Sequence, residues 1–350
     1  MKSVHVPASH AYDVLIGKNL LSQFPKYLDP EVFKGNVAVV TDDTVDGLYG
    51  EAVCNTLLEQ NCRVIKFVFP HGEASKNSTT WLSLLQFLSE NQMTRSDTII
   101  ALGGGVTGDL TGFASSVYLR GVRWIQIPTT LLAAVDASVG GKTAIDLPSG
   151  KNLVGSFYQP DAVICDPNTF ESLPKKIFAD GCAEVIKYGM LCDSILFESL
   201  PAGFSRIEEV IARCVEIKRD IVCGDEFDRG NRQLLNFGHT IGHAVELLSD
   251  YRIPHGSAVA VGMIMITSAS ARLGICSVHC AEALRELVKA ADLPGSCPYD
   301  SEQLYEASLR DKKRKGDSLT IVLPEDIGRC CLKSISLEEW KSMLDIACEV

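Results

Sequence analysis

Thr98-Ile-Ile-Ala-Leu-Gly-Gly-Gly-Val-Thr-Gly-Asp109 decides how the first half of this chain folds. Thr98 to Leu102 is uncharged and rich in β-branched residues, which reads as a buried strand. Glycines at 103, 105 and 108 satisfy the GxGxxG spacing, and a helix-like run from Leu110 to Tyr118 follows. Three glycines at that spacing are frequent in turns; the strand before them and the helix after them supply the context. Bare backbone at a helix N-terminus suits a pyrophosphate. Working outward, Val37-Ala-Val-Val-Thr41 and Val64-Ile-Lys-Phe-Val-Phe69 read as strands, and Ser78 to Asn91 as a helix. Such alternation implies a parallel sheet covered by helices, with ligands at the carboxyl ends of the strands. Asp42 and Glu73 fall at such ends and are candidate acceptors for ribose hydroxyls, although either alone is equally well a solvated turn carboxylate.

Length and composition bound what this fold can serve. A chain of 350 residues exceeds what one core usually covers, so two domains are expected. Hydrophobic content of 46% with 22% charged residues is that of a compact soluble protein. No apolar run reaches the roughly 18 residues of a membrane span, and Met1-Lys-Ser-Val-His-Val6 lacks an apolar signal core, so a cytoplasmic location is expected. The 13 cysteines include no CxxC pair and read as reduced, mostly buried residues. A net charge of -11 argues against nucleic acid or an anionic membrane as partner, and an anionic substrate would need a local basic pocket.

Such a pocket has candidates. Gly140-Gly-Lys-Thr143 resembles the tail of a phosphate-binding loop, but the first glycine of GxxxxGK[ST] would be residue 136, which is Asp136. A triphosphate loop is therefore disfavoured. Gly150-Lys-Asn-Leu-Val-Gly155 adds a second lysine, and Lys142, Lys151 and Asn152 together make an anion pocket unless the lysines are merely solvated. Near Asp166-Pro167 the pattern turns helical, with few strand-like runs before Leu319-Thr-Ile-Val-Leu323, which places a boundary at 165 to 175. In the helix from Arg206 to Cys223, Lys218 falls within the apolar stripe of Ile207, Val210, Ile211, Cys214, Ile221 and Val222, so it is expected to meet an anion. Glu184 and Lys187, three apart on another helix, could form a surface ion pair. The segment Arg232 to Gly256 holds three of the seven histidines. His239 and His243 stand four apart on one helix side with Glu246 near them, and His255, after Pro254, can fold back to the same point. That arrangement favours a metal or catalytic site, with the ligand set left open by spacing alone.

The segments Gly103-Gly-Gly-Val-Thr-Gly-Asp-Leu-Thr-Gly-Phe113, Pro128-Thr-Thr-Leu-Leu132, Asp136 to Lys142, Gly150-Lys-Asn152, Ala183-Glu-Val-Ile-Lys-Tyr-Gly189 and Leu234-Leu-Asn-Phe-Gly-His-Thr-Ile-Gly-His243 together resemble the 3-dehydroquinate synthases over nearly the whole chain. The resemblance implies an α/β, parallel-sheet, Rossmann-like NAD domain over 1–170 and an all-α metal-binding domain over 171–350. It implies that Glu184, His239 and His255 hold a divalent metal, most commonly Zn2+ with Co2+ as the alternative, and that His243 stays outside the metal's shell. NAD would be held by Asp42, Glu73, Lys76, Gly104, Gly105, Val106, Asp109, Thr129, Thr130, Lys142, Lys151, Thr169 and Ser172. The substrate phosphate would meet Lys142, Asn152, Asn236, His243 and Lys312, and the substrate carboxylate Lys218 and Arg232, with Lys187 in the same polar cluster. Lys142, Lys187, Lys218, Arg232, Asn236 and His243 are the implied catalytic set, with His243 the candidate for proton transfer.

The reaction so implied converts 3-deoxy-D-arabino-heptulosonate 7-phosphate to 3-dehydroquinate and phosphate, through transient oxidation, phosphate elimination, re-reduction and intramolecular aldol closure. It belongs to the shikimate pathway of aromatic amino acid biosynthesis. Arg120, in Tyr118-Leu-Arg-Gly121, resembles an arginine that reaches across a homodimer interface to the neighbouring active site. Ser257 stands where Glu is usual and Cys182 where Leu or Met is usual, which bears on the surroundings of the site rather than on its ligands. A metal-dependent polyol dehydrogenase, or another NAD-dependent sugar phosphate cyclase, shares the architecture; the inward Lys218 with Arg232 speaks for an acid substrate.

Overall fold

A computed structural model describes residues 1–203, 206–309, 314–315 and 318–349. Contacts divide the chain into two units: 1–173 with 207–227, and 174–206 with 228–350. The sequence boundary at 170/171 lies beside the first crossing, and the helix Ile207–Gly224, placed after it, clusters with the first unit.

The first unit is built on a seven-stranded sheet. Its strands are β1 (Lys2–Val6), β2 (Tyr12–Ile16), β3 (Val37–Asp42), β4 (Val64–Phe69), β5 (Thr98–Gly103), β6 (Arg123–Pro128) and, after the hairpin pair β7 (Lys142–Leu147) and β8 (Gly150–Phe157), β9 (Ala162–Cys165). The order is β1-β2-β9-β6-β5-β3-β4, antiparallel only between β1 and β2. Alternate residues of β3 and β5 feed opposite cores: Val37, Val39, Ile100 and Leu102 one, Ala38, Val40, Ile99 and Ala101 the other. A strand buried on both faces must be apolar throughout, which is why these two runs were so plain in the sequence. From β3 the chain steps outward to β4 and then returns to the other side of β3 as β5. The carboxyl ends of β3 and β5 therefore flank the switch point of the sheet, where open α/β folds bind ligands.

The second unit is mainly helical: Lys175–Cys192, Ser194–Ser199, His239–Leu248, His255–Arg272, Val278–Ala290, Ser301–Ser308 and Leu337–Cys348. The all-α expectation needs correction, because β10 (Arg314–Lys315), β11 (Ser318–Asp326) and β12 (Arg329–Ser336) form an antiparallel sheet. Leu319, Ile321, Val322 and Leu323 are all buried, a short apolar run bounded by exposed Glu325 and Asp326 that suits a strand. Among the described residues no helix is long and apolar enough to cross a membrane.

Candidate metal centre and cofactor site

Two close approaches assemble the metal centre. A Cβ at Gly262, on His255–Arg272, would fall 2.0 Å from the carbonyl oxygen of Gly238, which caps His239–Leu248. A Cβ at Gly256 would fall 1.9 Å from the carbonyl oxygen of Asp180, on Lys175–Cys192. Missing side chains thus let three helices touch at one place, and each brings a candidate ligand to it. Asp180 also accepts from the Ser257 backbone N–H at 2.7 Å and lies near the Ser257 hydroxyl at 3.2 Å, fastening the start of the His255 helix.

Glu184 Oε1 lies 3.6 Å from His239 Nε2 and 3.5 Å from His255 Nε2. These separations are too long for hydrogen bonds, and Oε1 is buried with no hydrogen-bond partner. An anionic oxygen left that way is costly unless a cation completes it. Glu184 Oε2 is in close contact with Lys187 Nζ, and both side chains are buried, so the pair is internal rather than the surface ion pair considered from spacing. His239 Nδ1 donates to the Phe237 carbonyl at 3.0 Å, which turns the Nε2 lone pair toward Glu184. His255 Nδ1 lies 3.1 Å from Glu246 Oε2. Burial alone would lower the His255 pKa; the Glu184 and Glu246 carboxylates on either side of the ring outweigh it and push the value up to about 10. The donor set, one carboxylate and two imidazoles with atoms within 4.8 Å of one another, suits Zn2+ or Co2+. The His243 ring centroid is 5.4 Å from that of His239 and 6.0 Å from that of His255, and His243 forms a second candidate ligand group with Glu246 and His255. Arg232 is buried in the turn before this helix, and Asn236 donates to the Gln233 carbonyl at 3.0 Å. Lys312 lies outside the described residues.

In the first unit, Gly104 caps the helix Gly105–Val117 at the end of β5, so Gly104, Gly105 and Val106 present the backbone of a helix N-terminus at the switch point. Thr129 N–H donates to the Gly103 carbonyl at 3.0 Å, and Thr130 Oγ1 accepts from the Ala133 N–H at 3.2 Å. Lys76, 4% exposed, donates to Asp109 Oδ2 at 2.5 Å and to Asn152 Oδ1 at 2.6 Å. Burial lowers the Lys76 pKa, and the charges of Asp109, Glu73 and Asp146 overcome this and raise it, so the ammonium stays charged. Asn152 has φ 53° and is held by Asp146, which accepts its N–H at 2.8 Å. Lys151 lies 3.4 Å from Glu73. Asp42 caps the turn after β3 by accepting from Thr44 and Val45, and Tyr49 links the Thr169 carbonyl and the Ser172 hydroxyl at 3.1 and 2.6 Å. Lys142 is exposed at the start of β7. Lys218 is buried as its place in the stripe predicts, and its Nζ meets the Asp136 carboxylate and, at 2.6 Å, the Asp136 carbonyl. Exposed Arg120 follows Leu119 in left-handed backbone, φ 66° and 49°.

Four supporting residues escaped the sequence reading. The sequence places Asp136 in a loop, and its pairing with Lys218, 82 residues away, exists only in the fold. Asp146 and Asp180 act on backbone N–H groups, which leave no mark in a side-chain pattern. Glu246 did leave a signal, its position near the histidines, but had no assigned partner.

An α/β unit with a glycine turn at its switch point and a helical unit with a Glu–His–His centre define a metal-dependent enzyme class that uses a nucleotide-type fold. Residues 66–180 match the family model for the 3-dehydroquinate synthase N-terminal domain and residues 181–314 the model for its C-terminal domain. The 3-dehydroquinate synthase of Lactococcus lactis subsp. cremoris (strain MG1363) is 41% identical over 98% of this chain and 99% of that protein. That of Clostridium acetobutylicum is 42% identical over 94% and 95%. A crystal structure of 2-deoxy-scyllo-inosose synthase, complexed with carbaglucose-6-phosphate, NAD+ and Co2+, superposes with TM-score 0.89 at 25% identity, covering 98% of this chain and 99% of that one. The chain belongs to the 3-dehydroquinate synthase family and is an enzyme of that type.

Proposed function

We propose that this chain converts 3-deoxy-D-arabino-heptulosonate 7-phosphate to 3-dehydroquinate and phosphate with NAD and a divalent metal, and that the residues named above carry the work. The observation that supports it most directly is the buried, unpartnered Glu184 Oε1 facing the Nε2 atoms of His239 and His255. When bound, NAD supplies reversible hydride removal and the metal polarises the hydroxyl that is oxidised. Glu184, His239 and His255 hold the metal, and Lys187 keeps one Glu184 oxygen occupied so that the other is presented. Gly104, Gly105 and Val106 receive the NAD pyrophosphate on backbone N–H groups, with Thr129 and Thr130 beside them. Asp42 and Glu73 are the ribose acceptors, and Lys76, Asp109, Lys142, Lys151, Thr169 and Ser172 line the same cofactor site.

Lys142, Asn152, Asn236, His243 and Lys312 bind the phosphate, and Lys218 and Arg232 the carboxylate. Lys218 is already held in its inward position by Asp136. His243 moves a proton at its imidazole during phosphate departure. The enzyme is cytoplasmic and dimeric, with exposed Arg120 reaching the active site of the second copy.

Phosphate release from the heptulosonate phosphate, measured on metal-loaded protein with a trace of NAD, tests the reading. Phosphate in many-fold excess over NAD with no net absorbance at 340 nm (an assay wavelength of about 340 nm reads the reduced cofactor) is the expected result. Stoichiometric NADH would make this a dehydrogenase instead, and silence in both channels with NAD and metal bound would mean a different substrate.

A further inference from the structure

His255 stands between two carboxylates: its Nε2 is 3.5 Å from Glu184 Oε1 and its Nδ1 is 3.1 Å from Glu246 Oε2. The Glu246 side chain is 4% exposed. It lies on the helix His239–Leu248, seven residues after His239, and at 100° per residue it returns to within about 20° of the histidine's direction. A buried carboxylate is disfavoured unless a donor meets it, and the His255 imidazole is such a donor. We propose that Glu246 is the positioning residue of His255. Its carboxylate accepts the Nδ1–H, fixes the tautomer that carries the lone pair on Nε2, and makes that nitrogen the more basic of the two imidazole ligands. His239 has a neutral carbonyl in the corresponding place, so the two histidines are unequal donors by construction.

This inference rests on the metal reading above. Glu246, His243 and His255 also lie close enough to form a ligand group of their own, so direct ligation by Glu246 is the rival role.

The experiment uses the full chain, stripped with a chelator and reloaded, as wild type, E246A, E246Q and H255A. Co2+ and Zn2+ affinities are read by competition with a chromophoric chelator, and the visible spectrum of the Co2+ form is recorded. Glu246→Ala is expected to weaken binding roughly ten- to a hundredfold and to shift the Co2+ bands, with the KM for NAD unchanged. Glu246→Gln keeps an acceptor oxygen without the charge and is expected to fall between, about three- to tenfold weaker. The isosteric variant carries the question alone if E246A does not fold. Affinity within twofold of wild type in both variants would overturn the proposal, as would a loss in E246A as complete as in H255A, which would make Glu246 a ligand. Equal Co2+ binding by wild type and H255A would instead remove the metal centre itself, an outcome distinct from either.

Discussion

Each unit holds a lysine against a carboxylate, and the two pairs are built differently. Glu184 and Lys187 are three apart on one helix, with side chains 0% and 1% exposed. Asp136 and Lys218 are 82 residues apart in sequence, with side chains 19% and 7% exposed. Lys218 spreads its donors over the Asp136 carboxylate and carbonyl. Lys187 engages one Glu184 oxygen and leaves the other with no hydrogen-bond partner, directed at two imidazole nitrogens. Asp136 holds Lys218 in place; Lys187 leaves Glu184 an anionic oxygen facing two imidazoles. A buried ion pair is poor evidence of stability by itself, and what distinguishes these two is where the remaining lone pairs point.

Removing Glu184 should therefore have the largest effect. Glu184→Ala deletes the proposed ligand and the carboxylate that Lys187 meets on its own helix, so metal binding and turnover should vanish and the apo protein should lose about 3–5 kcal/mol. Denaturant unfolding of E184A, K187M and the double variant checks this: the double variant should recover much of the stability and none of the metal. Equal losses in single and double variants would show that the pair is not coupled.

Next comes pH. His255 is raised from 6.5 to about 10, burial opposing and the Glu184 and Glu246 contacts prevailing, so its proton stabilises the metal-free fold. That contribution is full below the unfolded value near 6.5 and fades as pH rises through about 10. A metal must displace the same proton. Its affinity should climb about tenfold per pH unit across the neutral range and level off near the folded value. Isothermal titration at two pH values one unit apart reads the slope, and a flat response would mean that His255 enters the centre without losing a proton.

Asp136→Ala is expected to do less than either, because Lys218 keeps the Asp136 carbonyl. A loss of about 1–3 kcal/mol and a raised KM for the heptulosonate phosphate, with kcat and metal content near wild type, would mark Asp136 as the holder of Lys218. A fall in metal content would erase the contrast between the two pairs.

The sequence made most of this legible because the deciding features are local. β3 and β5 are buried on both faces and so read as unbroken apolar runs, and Lys218 stood out as the one charge in an apolar stripe. His239 and His243 share a helix side at visible spacing. Spacing leaves the ligand set open; only the packing of three helices, permitted at Gly256 and Gly262, brings Glu184 to His239 and His255, and it also brings His243 and Glu246 to His255 as a second candidate group. Leu319 to Leu323 reads as strand-like in the sequence and forms β11, while its partner β12 hid among helices because it is only half buried and its alternation is faint. The burial of Glu184 and Lys187 was invisible for a related reason: a pair three apart looks the same on an exposed helix as on an enclosed one.

The smallest effect concerns Ser257, one of the two positions where the sequence reads as departing from the family pattern. Ser257 touches Asp180 twice, and the shorter contact, 2.7 Å, comes from its backbone N–H, which any residue but proline supplies. The hydroxyl adds only a 3.2 Å contact to the same oxygen. Ser257→Ala should thus cost about 0.5–1 kcal/mol and shift metal affinity by less than about threefold. Asp180→Ala removes the acceptor for both donors at a helix start and should cost about 1 kcal/mol or more, because His255 is the first residue of that helix and moves with it. Thermal unfolding paired with a metal titration separates the two variants. If S257A loses as much metal affinity as D180A, the hydroxyl rather than the helix start fixes His255, and the departure from the family pattern acts on the centre directly.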